Sequence, residues 1–335
     1  MATLLDSSDL TSRLTAAPRP WRRVEIADVV DSTNTVAAQL ATQDGATWTL
    51  VAADQQSGGR GRQGRAWASP SGTSISMSMV VPLGVPRSSA AGRRGSGGHD
   101  GGVAQRVGWL PLLTGLAVSR ALGRLSGRPQ AFAVKWPNDV LARPLADSLA
   151  DSLEAPGEEA AAAPDRKVCG ILCQSLWGAG EPLAVVGIGV NVCVPAAELP
   201  VEHATSLADC CAGPAPSRED VIVAIADEFT YWHTKFADGG AELATVRDAY
   251  GVACATLGAQ VRVHLPGDRS LVGRAERVDA QGRLVVREGE ERAAGADRGD
   301  GGLGGLGGLG GMSAGGGGAV HALAAGDVVH IRPGD

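Results

Sequence analysis

Asp54-Gln-Gln-Ser-Gly-Gly-Arg-Gly-Arg-Gln-Gly-Arg-Ala-Trp67 leads, past Pro70 and Gly72, into Thr73-Ser-Ile-Ser-Met-Ser-Met-Val-Val81, and this stretch decides the fold. Gly59, Gly61 and Gly64 fit the G-x-G-x-x-G spacing of a dinucleotide-binding turn, and the apolar residues 48–53 before them read as a strand. That fingerprint requires a helix to open at the third glycine. Residues 73–81 instead alternate apolar and polar, which is the period of a strand. The stretch is therefore strand, loop, strand, and a doubly wound nucleotide-binding fold is set aside. The loop itself carries Arg60, Arg62 and Arg65 between its glycines and no acid from Gln55 to Trp67. Bendable backbone and three planar cations suit an anionic ligand, with phosphate or carboxylate fitting best. The plainer reading is a solvated basic loop, and the loop alone does not choose between them.

Outward from the loop, residues 24–30 read as a strand and 36–41 as a helix with Asp31 or Ser32 as N-cap. Residues 107–125 read as a buried helix and 131–135 as a short strand. Lys167-Val-Cys-Gly-Ile-Leu-Cys-Gln174 and Leu183-Ala-Val-Val-Gly-Ile-Gly-Val-Asn-Val192 are near-continuous apolar runs, the mark of strands buried on both faces. Ser217-Arg-Glu-Asp220 reads as a capping box opening a helix with Ile222, Ile225, Ala226, Phe229, Trp232 and Phe236 on one stripe. A second helix is expected over 241–253. From about residue 257 the pattern becomes short strands, at 260–264, 271–278, 283–287 and 327–332, with turns at Pro266-Gly267 and Gln281-Gly282. The expected organisation is a loose lead-in over 1–23, a first domain over 24–255 and a small barrel over 256–335. Residues 83–106, 142–165 and 289–318 are Gly-, Ser- or Ala-rich and read as flexible insertions.

The chain has 335 residues, a formal net charge of -6 and 44% hydrophobic residues, enough for a substantial core built on aliphatic packing. The acidic balance gives no general support for DNA binding, which leaves the basic loop as a local exception. There is no apolar run long enough for a membrane span and no secretory signal pattern. Cysteines at 169, 173, 193, 210, 211 and 254 form no CxxC pair, which points to reduced, buried thiols in a cytoplasmic protein rather than a zinc site. Lysine occurs only at 135, 167 and 235, so each is worth inspecting where arginine otherwise serves.

Three further places carry chemistry. Asp31-Ser-Thr-Asn34 lies between a strand and a helix, either as a cap or as hydroxyls and helix-start N–H groups offered to a small polar ligand. Lys135-Trp-Pro-Asn-Asp139 places a lysine at a strand end beside a stiff Trp-Pro step, so its ammonium can be aimed from a rigid base. Asn191 closes the apolar run, as a turn former or as an amide pointed into a pocket. Gly187 and Gly189 before it allow something to approach that strand closely.

Ser32-Thr-Asn34, Gln56, the Gly59-Arg-Gly-Arg-Gln-Gly-Arg65 loop, Lys135-Trp-Pro-Asn-Asp139, Lys167-Val-Cys-Gly-Ile-Leu172 and Gly187-Ile-Gly-Val-Asn191 together resemble the motifs of biotin–protein ligases, in that family's order. The resemblance covers about residues 24–335. It implies an α+β fold: a mixed β-sheet packed against helices, of the class II synthetase-like type, followed by a small SH3-like β-barrel. It implies joining biotin to ATP as biotinyl-5′-AMP with release of pyrophosphate, aided by Mg²⁺, then transfer to one lysine of a biotin carboxyl carrier domain of an acyl-CoA or pyruvate carboxylase.

By the same resemblance Ser32, Thr33, Asn34 and Gln56 would hold the biotin ureido ring. Arg60, Gly61 and Arg62 would close over the biotinyl adenylate, and Lys135 would meet the activated carboxyl and phosphate. Arg65, Trp67, Asn138 and Asn191 would lie in the nucleotide part of the site, Trp67 near adenine. Lys135, Arg60 and Arg62 are the expected catalytic groups, and no metal ligand is assignable. Asp54 and Gln174 stand where the family often has Glu. A lipoate–protein ligase shares the fold but differs in its loop and lysine motifs. A bifunctional ligase and repressor would carry an N-terminal winged-helix domain, and only about 23 residues precede the first strand here, so no DNA partner is expected. A non-catalytic binding protein is disfavoured by retention of Gln56, Arg60, Arg62 and Lys135 together.

Overall fold

The computed structural model describes residues 4–67, 70–83, 100–145 (side chains from 106), 166–178, 180–199, 201, 203–265, 269–289, 318–324 and 326–331. The chain divides into two compact units, Met1–Ala255 and Thr256–Asp335.

The first unit is built on a seven-stranded mixed sheet. Its strands are β1 (Arg23–Val30), β2 (Thr49–Gln56), β3 (Ser74–Pro82), β4 (Phe132–Lys135), β5 (Asp139–Ala142), β6 (Arg166–Leu176) and β7 (Leu183–Asn191). They lie in the order β1-β2-β3-β7-β6-β5-β4. Only β1 and β2 run parallel, and the helix α2 (Thr33–Leu40) is the crossover that such a pair requires. Every other neighbouring pair is antiparallel. The arginine-glycine segment thus links two antiparallel neighbours, β2 and β3, and no helix opens at Gly64.

Side-chain alternation gives the sheet two different faces. On β3, Ile75, Met77 and Met79 point one way and are fully buried. They share that face with Ile171 of β6 and Val186, Ile188 and Val190 of β7, by register. Long helices cover it: α3 (Asp100–Leu125), α5 (Arg218–Asp238) and α6 (Gly240–Ala253). Gly115 of α3 lies close to Val134 and Ile171, and His233 of α5 reaches the Pro82 carbonyl at 2.8 Å. The Ile222-to-Phe236 stripe of α5 is buried throughout, as its spacing demands. Ser217 caps α5 by accepting from the Asp220 N–H at 3.0 Å, and the Ser217 backbone in turn helps hold the Asp220 carboxylate, as the expected capping box requires. The Asp220 carboxylate also takes Arg13 at 2.8 Å.

Four readings are corrected. The lead-in over 1–23 is not loose: α1 (Ser7–Thr15) is a helix capped by Asp6, with Leu10 and Leu14 fully buried and Trp21 nearly so. Its two leucines at i, i+4 are a stripe too short to stand out in sequence, and ion pairs from Arg13 and Arg19 to Asp220 and Asp227 tie the segment to α5. Residues 100–106, assigned to an insertion, are the first turns of α3. Ala142, likewise assigned to an insertion, ends β5, a four-residue strand the sequence reading missed. Residues 84–99, 146–165 and 290–317 of the expected insertions, and the Pro266-Gly267 turn, lie outside the described residues. Cysteine burial is also uneven. All six are free thiols, four of them buried, with Cys173 half-buried and Cys193 exposed.

The second unit is a five-stranded antiparallel sheet in the order β11-β10-β9-β8-β12. The strands are β8 (Gln260–Leu265), β9 (Arg269–Val278), β10 (Leu284–Glu288), β11 (Val320–Leu323) and β12 (Asp327–His330). Val261, Val263, Ala275, Leu284 and Val286 form its buried side. β11, unread in the sequence because it is short and abuts the glycine tract, pairs with β10 as the return arm of a hairpin. A small helix, α4 (Leu207–Cys210), belongs to the first unit. Among the described residues no helix is long and apolar enough to cross a membrane.

Candidate active site

The second face of the large sheet is made of small residues. Ser74, Ser76 and Ser78 of β3 stand opposite Asn191, Gly189 and Gly187 of β7, and Gly170 of β6 stands opposite Gly189. α2 covers one part of this face, its Ala37 packing with Val51, Val80 and Val185. Beyond α2 the floor consists of glycines, and what lies on them is informative. A Cβ at Gly187 would sit 2.8 Å from Cγ and 2.9 Å from Nδ2 of Asn34. A Cβ at Gly189 would sit 2.5 Å from the Trp67 Nε1, and one at Gly170 2.8 Å from Trp67 Cζ3. Glycine is required at these places so that an amide and an indole can lie directly on the sheet.

Ser32, Thr33 and Asn34 are all buried at the start of α2. Ser32 is the N-cap residue, yet its hydroxyl makes no capping bond. The N–H of Thr33 goes instead to Oε1 of Gln56, at the end of β2, at 2.8 Å. Thr33 Oγ1 contacts the same oxygen at 3.1 Å. Ser78 Oγ lies 2.7 Å from Thr33 Oγ1 and 2.6 Å from Asn34 Oδ1, and Asn34 Nδ2 donates to the Leu172 carbonyl at 3.1 Å. Four polar side chains from three elements are thus locked into one network, which fixes their orientation. Ser32 is left out of the capping role that the sequence allowed it.

The loop after Gln56 is a tight hairpin. Trp67 N donates to Gly59 O at 2.9 Å, Gly61 N donates to Arg65 O at 2.7 Å, and the tip turns through left-handed Gln63 and Gly64. Arg60 and Arg65 are exposed and Arg62 is half-buried. Gln56, residues 57–60, Gly64, Ala66 and Trp67 line an open cleft of ≈ 510 Å³, within the size range of small-molecule sites.

Arg62 leaves the loop and donates from Nη1 to Oδ1 of Asn138 at 3.0 Å. Asn138 is held in turn, its Nδ2 donating to the Ile171 carbonyl at 2.9 Å. Burial lowers the Arg62 pKa, opposed by the charge of Asp139 and assisted by that of Arg65. Lys135 ends β4, in register with Asp139 at the start of β5. The Trp136–Pro137 peptide between them is cis, and Trp136 is buried. Asp139 Oδ1 takes the ammonium of Lys167 at 2.7 Å, and that ammonium lies 5.7 Å from the centre of the Trp67 ring. Asn191 is buried with its amide on the Thr205 carbonyl at 3.2 Å, so it is anchored to the chain beyond β7.

The structure therefore brings Gln56 together with Thr33 and Asn34, and Arg62 together with Asn138. It sets Trp67 on the same glycine floor as Asn34. Arg60, Gly61 and Arg65 ride on the hairpin, and Asn191 stands at the end of the strand that carries the floor. Residues 26–191 match the model of the biotin/lipoate A/B protein ligase family. The chain belongs to this family. The biotin–[acetyl-CoA-carboxylase] ligase of Mycobacterium tuberculosis is 29% identical over 331 residues, 98% of this chain and 96% of that protein. A biotin–[acetyl-CoA-carboxylase] ligase of Paracoccus denitrificans is 29% identical over 77% of this chain and 91% of its own length. Among solved structures, the biotin protein ligase of Aquifex aeolicus in complex with biotin and ATP superposes with a TM-score of 0.56. It is 21% identical and covers 93% of this chain and 100% of its own.

Around this cleft and glycine floor, sequence reasoning passed over Ser78, Asp139 and Lys167. Ser78 was legible as one of three serines on the same face of β3, but its partners were not. Asp139 and Lys167 stood inside quoted motifs without a role. The rarity of lysine was the available signal, and it applied to Lys167 as much as to Lys135.

Proposed function

We propose that this chain is an ATP-dependent biotin–protein ligase that forms biotinyl-5′-AMP and passes the biotinyl group to a lysine of a biotin carboxyl carrier protein. One observation carries the reading: the Thr33–Asn34–Ser78–Gln56 network at the base of the arginine-glycine hairpin and the Arg62–Asn138 bridge near its tip lie over one glycine floor. The near-full-length likeness to biotin–[acetyl-CoA-carboxylase] ligases supports biotin over lipoate as the acid.

In this reading Ser32, Thr33, Asn34 and Gln56 hold the ureido ring, whose N–H and C=O groups need fixed partners of both kinds. The biotin carboxylate attacks the α-phosphorus of ATP and pyrophosphate leaves. Two anions must approach, and Lys135, Arg60 and Arg62 offset their repulsion and the charge that grows in the transition state. Arg65, Trp67, Asn138 and Asn191 serve the nucleotide part. The mixed anhydride is prone to hydrolysis, so the hairpin that covers it also excludes water. The amine of the carrier lysine then attacks the acyl carbon and AMP departs.

Among the described residues no group of three His, Cys, Asp or Glu side chains could cage a metal, and Asp139 is already paired with Lys167. Mg²⁺ would come with the triphosphate, where it would neutralise phosphate charge. The carrier is assigned to an acyl-CoA or pyruvate carboxylase. The net charge of -6 supports no DNA partner, and six free thiols suit the cytoplasm.

Biotin-dependent ATP–pyrophosphate exchange, with lipoate and octanoate as controls, tests the reading directly. Lys135→Ala is expected to cut exchange by about 10²-fold or more, the usual cost of a key electrostatic donor, with Lys135→Arg rescuing only in part. Exchange with lipoate but not biotin would overturn the substrate, and near-normal exchange in Lys135→Ala would remove that lysine from its role.

A further inference from the structure

The arginine-glycine hairpin has two roots, the end of β2 and the start of β3, and one buried side chain touches both. Arg218, the first residue of α5, is 7% exposed. Its Nη2 lies 2.6 Å from Oδ1 of Asp54, which is 2% exposed and precedes Gln56 by two positions. Its Nη1 lies 3.5 Å from the carbonyl oxygen of Ser74, the first residue of β3. Asp54 is further held by the N–H of Leu5, at 3.2 and 3.1 Å to its two oxygens. Ser74 Oγ in turn donates to the Pro70 carbonyl at 3.1 Å, inside the loop.

A buried ion pair is weak evidence of stability, because the cost of removing both charges from water offsets their attraction. Well-packed apolar residues would fill this place without that cost. What apolar residues cannot do is fix the separation and register of two strand ends through directed bonds. We infer that Arg218 is a positioning residue for the ligase reaction: with Asp54 it clamps the two roots of the hairpin, so that Gln56 on one side and Arg60 and Arg62 beyond it meet the adenylate in the geometry that retains it. The inference rests on the proposed ligase activity. Arg218 touches no ligand in this account and acts through the loop.

The test uses the full-length protein and four variants: the apolar pair Arg218→Met with Asp54→Leu, Arg218→Lys, Lys135→Ala, and Arg13→Met. The last breaks the half-exposed pair between Arg13 and Asp220 at the same end of α5 without touching the loop roots. Thermal unfolding is measured beside kcat and KM for pyrophosphate exchange and the rate of biotinyl-AMP release without carrier. The clamp predicts that the apolar pair unfolds within a few degrees of wild type yet releases adenylate roughly 10- to 10²-fold faster, the scale of an ångström-level misplacement. Arg218→Lys is expected to fall between, since one ammonium cannot hold both roots. Arg13→Met should release adenylate at the wild-type rate.

Wild-type release from the apolar pair overturns the clamp, as does faster release from Arg13→Met of equal size, which would show general loosening of α5. Should the apolar pair not fold, Arg218→Lys decides: unchanged release there sinks the inference. Absence of exchange in the wild-type protein would instead refute the ligase reading, and the normal exchange of Arg13→Met beside a crippled Lys135→Ala keeps the two failures apart.

Discussion

Gly187→Ala places one methyl group where the structure has no room for it. The new Cβ would lie 2.8 Å from Cγ and 2.9 Å from Nδ2 of Asn34, and closer still to Oδ1. All three atoms belong to one short side chain with nowhere to retreat, since Nδ2 is bonded to the Leu172 carbonyl and Oδ1 to Ser78 Oγ. Moving the amide breaks two buried hydrogen bonds, each worth about 1 kcal/mol net, and leaves partners unsatisfied at further cost. Together with overpacking, the loss is about 2–4 kcal/mol. For a unit of this size that corresponds to a fall in Tm of roughly 5–12 °C. Thr33 shares Ser78 with Asn34, so the network that includes Gln56 shifts as well, and biotin affinity should drop alongside stability.

The assay is a double-mutant cycle on Gly187→Ala and Asn34→Ala, read by denaturant unfolding and by biotin titration calorimetry. Asn34→Ala removes the atoms that clash, so adding Gly187→Ala to it should cost less than about 1 kcal/mol. If Gly187→Ala is as harmful in that background as in wild type, the clash with Asn34 is not the reason for the glycine.

Arg60→Ala should speed release of biotinyl-AMP by about 10- to 100-fold, the value of one charged hydrogen bond, and label bystander lysines, while ATP binding changes less; unchanged release would mean the hairpin is not the lid. His233 is buried against Phe229 and Trp48 with Nε2 at the Pro82 carbonyl, and burial lowers its pKa to about 4 despite that bond. The unfolded chain takes up this proton near pH 6.5 and the native chain does not until about pH 4. Stability linked to His233 is therefore fully present above that upper value and falls by roughly 3 kcal/mol as pH drops through the window. His233→Phe should flatten the slope of unfolding free energy between pH 4 and 6.5, and an identical slope would refute the assignment. Because Arg287 pairs with Val320 and the Glu288 N–H meets the Ala319 carbonyl, β10 and β11 are in register for a tight turn. Replacing the 289–318 connection with Asn-Gly should leave pyrophosphate exchange intact and make the second unit more stable by up to about 2 kcal/mol. Biotin transfer to the carrier is to be measured separately, and poor transfer with normal exchange would give the tract a part in carrier recognition.

What the sequence made legible follows from how local each signal is. The alternation of residues 73–81 excluded a dinucleotide fold because a strand's period shows within a few residues, and β3 is there. The stripe of α5 and the apolar runs of β6 and β7 were readable for the same reason. β5 and β11 have four residues each, too few for a period to declare itself. α1 is tied by Arg13 to Asp220 of α5, 207 positions away, so its own sequence could not announce it. The ambiguity at Ser32 was likewise beyond local reading. Its hydroxyl was a candidate cap until Gln56, 23 positions beyond Thr33, proved to take the helix's first N–H. The pairing of Asp139 with Lys167 needed the β5–β6 register, where an irregularity brings Lys167 opposite Leu141.

The division of partners within the cleft shows why the Lys-Trp-Pro-Asn-Asp hairpin matters as much as the arginine loop. A half-buried guanidinium without a partner is costly, yet a carboxylate partner would cancel the charge that an anionic ligand requires. Arg62 rests on the amide oxygen of Asn138, which accepts a bond and leaves the positive charge in place. Lys167 has the carboxylate, Asp139, and is the cation set down on the floor beside Trp67. Adjacent residues of one turn therefore hold two cations in different ways. Because Asn138 is itself fixed to the Ile171 carbonyl, the Arg62 contact is made to rigid sheet rather than to another mobile side chain. On the proposed function the loop would close over the adenylate from this defined starting position, with the Arg62 charge undiminished in a protein whose overall charge is -6.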